Sequence, residues 1–395
     1  MIQSKDSGIV AVELGYEFAS TDAPEPGHLV NPLFRTLSAI RTAGSIASAA
    51  RQLGQSYRHL WGYLKRQEER LGRALIQWDK GRAARLTPFA EKLLWAEAGI
   101  RARLAPRIEN LATEIGRELT VAFNDDVAIA EVVASHDLAL PGLRTLCQRA
   151  GLLLDVHFAG SLDALAALRQ GRCAFAGIHL PLGRPELAAR GSALHRSFGP
   201  WLRLGKEKLI RVAQRTQGLI VAPGNPLGIR SLDDLARVRF VNRAPGAGTR
   251  VLLDQLLAGR GIDAGRIDGY QRQEATHLSV ATCVASGAAD AGFGIEAAAR
   301  QQGLDFVPVV QEEYFFACSA DTVDKPVALQ LREALASPAW REVLARLPGY
   351  SATEPGSVVS LRRTLPWYGR SAPAKKNRTS VGGEPSFVRR GGDNR

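Results

Sequence analysis

A glycine-rich turn between two apolar patterns is the stretch of this sequence best suited to bind a charged ligand. Apolar residues at 240–241 are followed by Gly-Ala-Gly-Thr-Arg at 246–250, and apolar residues then recur at helical spacing. This order places the backbone N–H groups of 246–249 at the N-terminus of a helix, where they can stabilise an anion. The predicted ligand contacts in this turn are Gly246, Gly248, Thr249 and Arg250.

Other polar residues follow further apolar runs, and a two-lobed α/β sheet would bring them to one cleft. Ligands of such folds bind beyond the carboxyl ends of the strands, where helices begin. Asn124 and Asp125 follow the first predicted strand, Ser161 follows the second, and Thr276 can cap a helix that starts at His277. The remaining predicted contacts are Asn124, Asp125, Ser161, His179, Thr276, His277 and Glu296.

Each of these residues also has a purely structural interpretation. The two glycines can simply form a tight turn, and Asn124 and Ser161 can be helix caps. Arg250 can form an ion pair within its lobe, and the histidines can be hydrogen-bonded core residues. Asp125 and Glu296 would repel a bare dianion, and they could instead hold an organic ligand rich in donors or the hinge between the lobes.

The sequence contains no recognisable catalytic motif, so we predict a protein that is not an enzyme. The turn at 246–250 is not a dinucleotide fingerprint, because Val251 stands where a third Gly or Ala is needed. Neither a P-loop nor an HExxH motif occurs. The four cysteines lack metal-ligand spacing and are predicted to be core thiols in a reducing compartment.

The elements that must position these residues alternate between strand and helix patterns, which is typical of an α/β fold. Strand-like runs occur at 120–123, 152–158, 175–178, 218–222, 240–241, 291–295 and 306–309. We predict two lobes, one from 118–200 and 312–350 and the other from 205–308, joined by two crossover strands. Residues 351–395, rich in Pro, Gly, Ser and Arg, are predicted to be disordered.

The charge of the chain is concentrated at its two ends. The net charge is +12 over 395 residues; residues 31–117 carry 16 basic and 7 acidic groups, whereas 118–350 carry 25 and 24. Such a basic N-terminal domain indicates a nucleic-acid partner. Residues 1–30 have a net charge of −4, the wrong sign for a signal peptide, and no apolar run reaches the ~20 residues that span a bilayer. We therefore expect a cytoplasmic location and no membrane partner, with 1–30 as a flexible arm.

The basic domain has the pattern of a winged helix-turn-helix. One helix is predicted to end near Gly44, a second runs from Ser45 to Leu53, and Ser56 can cap a third that continues to about Leu71. Residues 75–78 and 84–86 can then pair as a wing with a basic tip. An amphipathic helix follows over 88–117, and Pro106 is expected to kink or split it. Its apolar stripe indicates a homodimer, or a higher homo-oligomer.

Two family resemblances add to this interpretation. Residues 45–94, with SIASAARQLG, SYRHLW and LTPFAEKLL, resemble the N-terminal domain of molybdate-responsive and LysR-type regulators. Residues 159–180 and 225–309, with NPLGI, GAGTR, THLSVA and VASGAADAGFGIEAAA, resemble the periplasmic-binding-protein-like sensor domain of molybdenum-linked regulators. The resemblance implies a two-lobed, type 2 periplasmic-binding-protein-like sensor domain. This sequence departs from the family pattern at Ala247, where Ser is expected. The residues assigned to DNA are Ser56, Tyr57, Arg58, His59, Lys65, Arg82 and Arg85.

The resemblance therefore predicts a one-component transcription regulator of double-stranded DNA with domains at 31–87, 88–117 and 118–350. Its implied effector is molybdate, tungstate or a compound related to the molybdenum cofactor, without a resident cofactor or metal. Three alternatives remain open at this point. They are a regulator with an organic effector, a solute-binding protein that serves a transporter, and an enzyme of molybdenum-cofactor assembly.

Overall fold

The computed structural model describes residues 31–78, 84–124 and 126–368. The predicted arm 1–30, Arg82, Asp125 and the tail beyond 368 lie outside these residues. Across the described ranges, no helix has the length and apolar character needed to cross a membrane.

The N-terminal domain is a winged helix-turn-helix whose helices begin and end where the sequence predicted. Asn31, Ser45 and Ser56 cap its three helices, and Gly44 ends the first in the left-handed conformation with φ +70°. Two short strands then pair with Ile76 opposite Leu86, which forms the wing. The elements are α1 Pro32–Ala43, α2 Ile46–Gln52, α3 Tyr57–Leu71, β1 Ile76–Gln77 and β2 Arg85–Leu86.

A single long helix, α4 (Pro88–Phe123), joins this domain to the rest of the chain. Its 36 residues span about 54 Å at 1.5 Å per residue. The helix is continuous across Pro106, so the predicted split is wrong. The strand predicted at 120–123 is also wrong, because these residues form the last turn of α4 and the first strand begins only at Ala128.

Residues 126–368 form an α/β domain around one mixed sheet with strand order β4-β3-β5-β10-β6-β9-β7-β8. Its strands are β3 Ala128–Ala134, β4 Leu152–Phe158, β5 Phe175–Leu182, β6 Glu207–Val221, β7 Phe240–Arg243, β8 Gln273–Glu274, β9 Ala291–Ile295, β10 Asp305–Ser319, β11 Tyr350–Ser351 and β12 Val358–Ser360. Its helices are α5 Leu140–Arg149, α6 Ser161–Arg169, α7 Ala193–Phe198, α8 Gly248–Gly259, α9 His277–Ala285, α10 Glu296–Gln301, α11 Pro326–Ala336, α12 Pro338–Ala345 and α13 Leu361–Thr364.

Two long antiparallel strands, β6 and β10, run through both halves of this sheet. On one side β10 pairs with β5, which leads to β3 and β4 and defines lobe 1. On the other side β6 pairs with β9, which leads to β7 and β8 and defines lobe 2. The predicted pair of crossover strands is thus confirmed, and the carboxyl ends of β4 and β7 face the region between the lobes.

The predicted disorder after 350 is wrong for residues 351–368. Strand β12 pairs with β6, with Val358 opposite Ile210, and Trp367 is buried against the apolar cluster beneath α6 and α7. The basic composition of this segment suggested disorder, but it still contains enough apolar side chains to pack on lobe 1.

Candidate functional site

The starts of helices α6 and α8 meet between the lobes. A Cβ placed on Gly160 would lie 3.2 Å from the carbonyl oxygen of Gly246, and a Cβ on Gly248 would lie 3.5 Å from the Ser161 Oγ. Gly160 and Ala247 occupy the cap positions of these helices, and neither helix receives a side-chain cap. The N–H groups of Ser161 and Leu162 in α6 and of Gly248 and Thr249 in α8 therefore receive no side-chain cap, and Ala247 in place of Ser contributes to this. The Arg250 N–H already donates to the Ala247 carbonyl at 2.9 Å.

A buried ion network lies on the crossover strands beside these helix starts. Arg215 donates to Asp137 at 2.5 Å and to Glu312 at 3.1 Å, and the Tyr350 hydroxyl donates to Asp137 at 2.9 Å. Burial alone would raise the pKa of the Asp137 carboxyl, but the nearby His179 and Arg215 hold it below its usual range. The network ties the end of β3, both crossover strands and the segment after α12 together.

Gln217 connects this network to the start of α8, with its amide orientation fixed by two acceptors. Its Nε2 donates to Glu312 Oε2 at 2.6 Å and to Thr249 Oγ1 at 2.9 Å. Since a carboxylate requires a donor, the amide nitrogen must face Glu312. The Gln217 Oε1 is consequently buried and has no hydrogen-bond partner among the described residues.

Arg243, at the end of β7, supplies a cation that sequence reasoning missed. Its side chain is buried, and its Nη2 donates to the Ala275 carbonyl at 2.9 Å. Its Nε and Nη1 find no partner within the described chain. Burial and the neighbouring Arg215 lower the pKa of Arg243 to about 9, against the partial compensation of Glu312. Unpaired N–H groups on a buried guanidinium can donate charge-assisted hydrogen bonds to an oxyanion or carboxylate.

Three aromatic or imidazole side chains line the same buried region. His179 stacks on Tyr314 with ring centroids 4.2 Å apart, and His277 begins α9. Among the described residues, the His179 Nε2, the His277 Nδ1 and the Tyr314 hydroxyl have no hydrogen-bond partner. Burial lowers the pKa of both imidazoles. The positive charge of Arg215 lowers that of His179 further, and the charge of Arg243 has the same effect on His277. Burial likewise raises the pKa of the Tyr314 hydroxyl.

The pKa shift of His277 predicts a stability that falls in acid. The folded chain holds this imidazole neutral, so the unfolded chain binds its proton first as the pH falls below about 6.5. The free energy of unfolding should then decrease by up to about 1.4 kcal/mol per pH unit for this one group. Urea unfolding of His277→Gln between pH 7.5 and pH 5.5 should show a shallower dependence than the wild type. His157→Gln, on an exposed side chain, should keep the wild-type slope; equal slopes in wild type and His277→Gln would refute this assignment.

Most predicted ligand residues lie in this region, but three do not serve as predicted. Arg250 forms an ion pair with Asp254 at 2.9 Å and stacks on Tyr270 at 4.1 Å, which is the structural alternative. Glu296 begins α10 and pairs with Arg300 at 3.5 Å. Asn124 ends α4 in an exposed position, because no strand precedes it. Of the predicted residues, Ser161, Gly246, Gly248 and Thr249 lie at the adjoining starts of α6 and α8. His179 and His277 are buried near Arg215, whereas the Thr276 side chain caps α9 and bonds α4.

The linker helix α4 contacts both lobes directly behind these cleft segments. The Asn110 side chain pairs with the backbone of Phe158 at 2.6 Å and 3.2 Å, two residues before Gly160. On lobe 2, the Thr276 hydroxyl donates to the Ala102 carbonyl at 3.0 Å while it also caps α9. One helix is therefore hydrogen-bonded to a segment of each lobe.

In the N-terminal domain, the start of α3 presents polar side chains to solvent. Tyr57, Arg58 and His59 are exposed, whereas the Ser56 hydroxyl accepts from the His59 N–H at 3.1 Å and acts as the helix cap. Lys65 pairs with Glu68 at 2.7 Å and lies over the Trp61 ring. Arg85 is exposed on the wing. The surface at the start of α3 is thus free for a groove of DNA.

Two family models match the chain, one for each of these regions. Residues 33–91 match the bacterial regulatory helix-turn-helix domain of the lysR family, and residues 144–336 match the PBP superfamily domain. The chain therefore carries a DNA-binding domain of the lysR family and a domain of the PBP superfamily. This combination is that of a transcription regulator, and a helix-turn-helix does not fit the alternatives of an enzyme or of a transporter's solute-binding protein.

Two relatives are similar in sequence to this chain, and their names state no activity. "Uncharacterized protein YvgK" of Bacillus subtilis is 29% identical over 263 residues, which cover 66% of this chain and 80% of the relative. "Uncharacterized protein in ferredoxin 2Fe-2S gene 5'region" of Clostridium pasteurianum is 35% identical over 111 residues, which cover 28% of this chain and 98% of the relative.

Two of the solved structures to which this chain is similar are CbnR and BenM. CbnR, a LysR family transcriptional regulator, is 18% identical with a TM-score of 0.37 over 77% of this chain and 98% of its own. Full-length BenM is 16% identical with a TM-score of 0.39 over 80% of this chain and 96% of its own. At these TM-scores the whole-chain superpositions carry no weight, and the family assignment rests on the two sequence models.

The four cysteines are buried free thiols, as the sequence predicted. Burial raises the pKa of Cys147 and Cys318 to about 12, and that of Cys173 and Cys283 to about 11. Because the thiolate is the reactive form, oxidation at neutral pH is disfavoured at all four sites.

Proposed function

We propose that this regulator binds its effector between the two lobes and transmits the event to DNA through helix α4. The observation that carries the proposal is the buried cluster at the cleft, where two uncapped helix starts meet an arginine with unused donors. Such groups are costly to bury without a partner, and a bound ligand would provide one. Residues 159–180 and 225–309 resemble sensors of molybdenum-linked regulators, so the proposed effector is molybdate, tungstate or a molybdenum-cofactor-related compound. We place this activity in the cytoplasm.

The proposed signal is a change in the position of α4 when the lobes move. Asn110 is bonded to lobe 1 and the Ala102 carbonyl to lobe 2. If a ligand favours one arrangement of the lobes, the lobes move relative to each other. Helix α4 must then lose or change one of these two contacts, or rotate as a whole. Differential affinity for the two arrangements is the thermodynamic requirement for a response.

The other face of α4 is proposed to form a homodimer. Ile100, Leu111 and Ile115 are exposed to 48%, 58% and 40%. At about 100° per residue they share one face, which lies about 170° from Ala102 and about 110° from Asn110 around the helix. A second copy can therefore pack on this stripe, and a higher homo-oligomer can form from such dimers, without displacing the lobes from the helix.

A gel-retardation assay tests the proposed function. The full chain is titrated onto DNA from upstream of its own gene with molybdate, with tungstate or with molybdopterin. At least one of these should change the apparent affinity by about fivefold or more, which corresponds to a coupling of about 1 kcal/mol. If a panel of organic metabolites changes the affinity and none of these three does, the regulator has an organic effector and the molybdenum assignment fails.

Arg58 at the start of α3 is predicted to contact DNA bases. If it reads a guanine, Arg58→Ala should weaken operator binding by about 1–3 kcal/mol and relax specificity at one base pair. Tyr57, His59, Lys65 and Arg85 are proposed to contact flanking phosphates or bases. Arg70→Ala is the matched control, because it removes the same charge from the exposed far end of α3. Equal affinity of Arg58→Ala and the wild type in a footprint would remove Arg58 from the reading surface.

A further inference from the structure

The cleft holds two buried side chains whose unused atoms make opposite demands on a ligand. Arg243 keeps two N–H donors, Nε and Nη1, and Gln217 keeps one acceptor, Oε1. Both side chains are almost fully buried, with exposed fractions of 4% and 0%. A ligand in contact with both side chains would have to accept from the arginine and donate to the glutamine.

Arg243 has no ion-pair partner among the described residues, since its hydrogen bond goes to the Ala275 carbonyl. Asp137 and Glu312 are the nearby carboxylates, and Arg215 binds both of them. The Glu312 Oε2 also accepts from Gln217, and the Asp137 Oδ2 also accepts from Tyr350. Arg243 therefore has no carboxylate of its own, and Glu312 compensates its charge only in part. Together with the open starts of α6 and α8, it favours an anion as the ligand.

The side-chain amide of Gln217 cannot flip to accommodate a ligand that has only hydrogen-bond acceptors. A flip of its amide would place Oε1 against the Glu312 carboxylate, where two acceptors repel each other, and would remove the donor to Thr249. A bare tetrahedral dianion has acceptor oxygens only. Burying it against Oε1 would leave that acceptor unsatisfied and add a repulsive contact.

We propose that the effector is an anion that also carries a hydrogen-bond donor, held by Arg243 through its charged oxygens and by Gln217 through the donor. This inference rests on the proposed function and narrows it. A protonated oxyanion or a hydroxylated carboxylate meets both demands, and so does an acidic compound with ring N–H groups. Unprotonated molybdate meets only the first.

Matched pairs of small anions test this inference in the wild-type chain by calorimetry at pH 7. Phosphate keeps at least one proton and is compared with sulfate and molybdate, and glycolate is compared with acetate. In at least one comparison the anion with a hydrogen-bond donor should bind about tenfold more tightly than the anion without one. A preference for phosphate would indicate an oxyanion as effector, and a preference for glycolate would indicate a carboxylate. Binding of sulfate, molybdate and acetate as tight as that of their partners would overturn the inference, as would a lack of binding by all five.

Two variants assign the preference to the named side chains. Gln217→Met should reduce the preference within a pair to less than about twofold, and Arg243→Met should weaken every anion by about a hundredfold. Thermal unfolding confirms that each variant is folded, and the wild-type comparison decides the question if one is not. If molybdate binds as tightly as phosphate and changes DNA affinity, this inference falls while the proposed function stands.

Discussion

Asp137→Asn should lower the free energy of unfolding by about 3–5 kcal/mol. Asp137 is completely buried and joins Arg215, Tyr350 and the first turn of α5, where it accepts from the Ala139 N–H at 2.8 Å. Neutralising it leaves Arg215 with Glu312 as its one remaining carboxylate in a region without solvent. Removal of one partner from a buried ion pair is costly because the other charge stays desolvated. Urea denaturation at pH 7 measures the difference.

A matched control for this prediction is the exposed ion pair of Arg211 and Glu354. Their side chains are 2.8 Å apart, and that of Glu354 is 73% exposed. Glu354→Gln makes the same carboxylate-to-amide change in solvent and should cost less than about 1 kcal/mol. If both variants lose a similar amount of stability, burial of the Asp137 network is not the source of its contribution.

Asn110→Ala should separate ligand binding from its effect on DNA. The variant loses both bonds between the linker helix and the backbone of Phe158, and leaves a part-buried N–H and C=O unpaired. Such a loss costs about 1–3 kcal/mol, which is comparable to the coupling free energy of a typical allosteric regulator. We expect ligand affinity within about threefold of wild type, and a ligand-dependent change in DNA affinity that is largely abolished.

Asn124→Ala provides the control, because it changes the same residue type at the exposed end of the same helix. Gel retardation with and without ligand should give the wild-type response for this variant. A full response from Asn110→Ala would show that the signal does not pass through the contact between α4 and lobe 1.

The local elements of this chain were predictable because their signals are short in range. Ser45 and Ser56 fixed the starts of α2 and α3 through hydrogen bonds within three residues. The run at 152–158 became β4 with the same bounds, since it is apolar and bordered by turns. The run at 120–123 has a similar apolar character, but the preceding helix continues through it. The secondary structure of residues 120–123 is determined by the helix that precedes them, and the composition of the segment does not show this.

The candidate site was only half predictable, because its decisive contacts join distant parts of the chain. Arg250 and Arg243 are both cations beside the glycine-rich turn. Arg250 is nevertheless engaged in an ion pair with Asp254, four residues along the same helix. Arg243 ends a strand, which was a usable signal, but its unpaired donors appear only in the folded structure. Gln217 is one polar residue in a long strand, and its orientation depends on Glu312, 95 residues away.

The central claim is that an effector held at the starts of α6 and α8 controls how the N-terminal domain binds DNA. A footprint over DNA upstream of the gene tests it most directly, with the effector that changes the wild-type pattern. The double variant Ser161→Ala, Thr249→Val should protect this DNA with the ligand-free pattern whether or not the effector is present. A double variant whose footprint still changes with the effector, at the same concentration as in the wild type, would contradict the account.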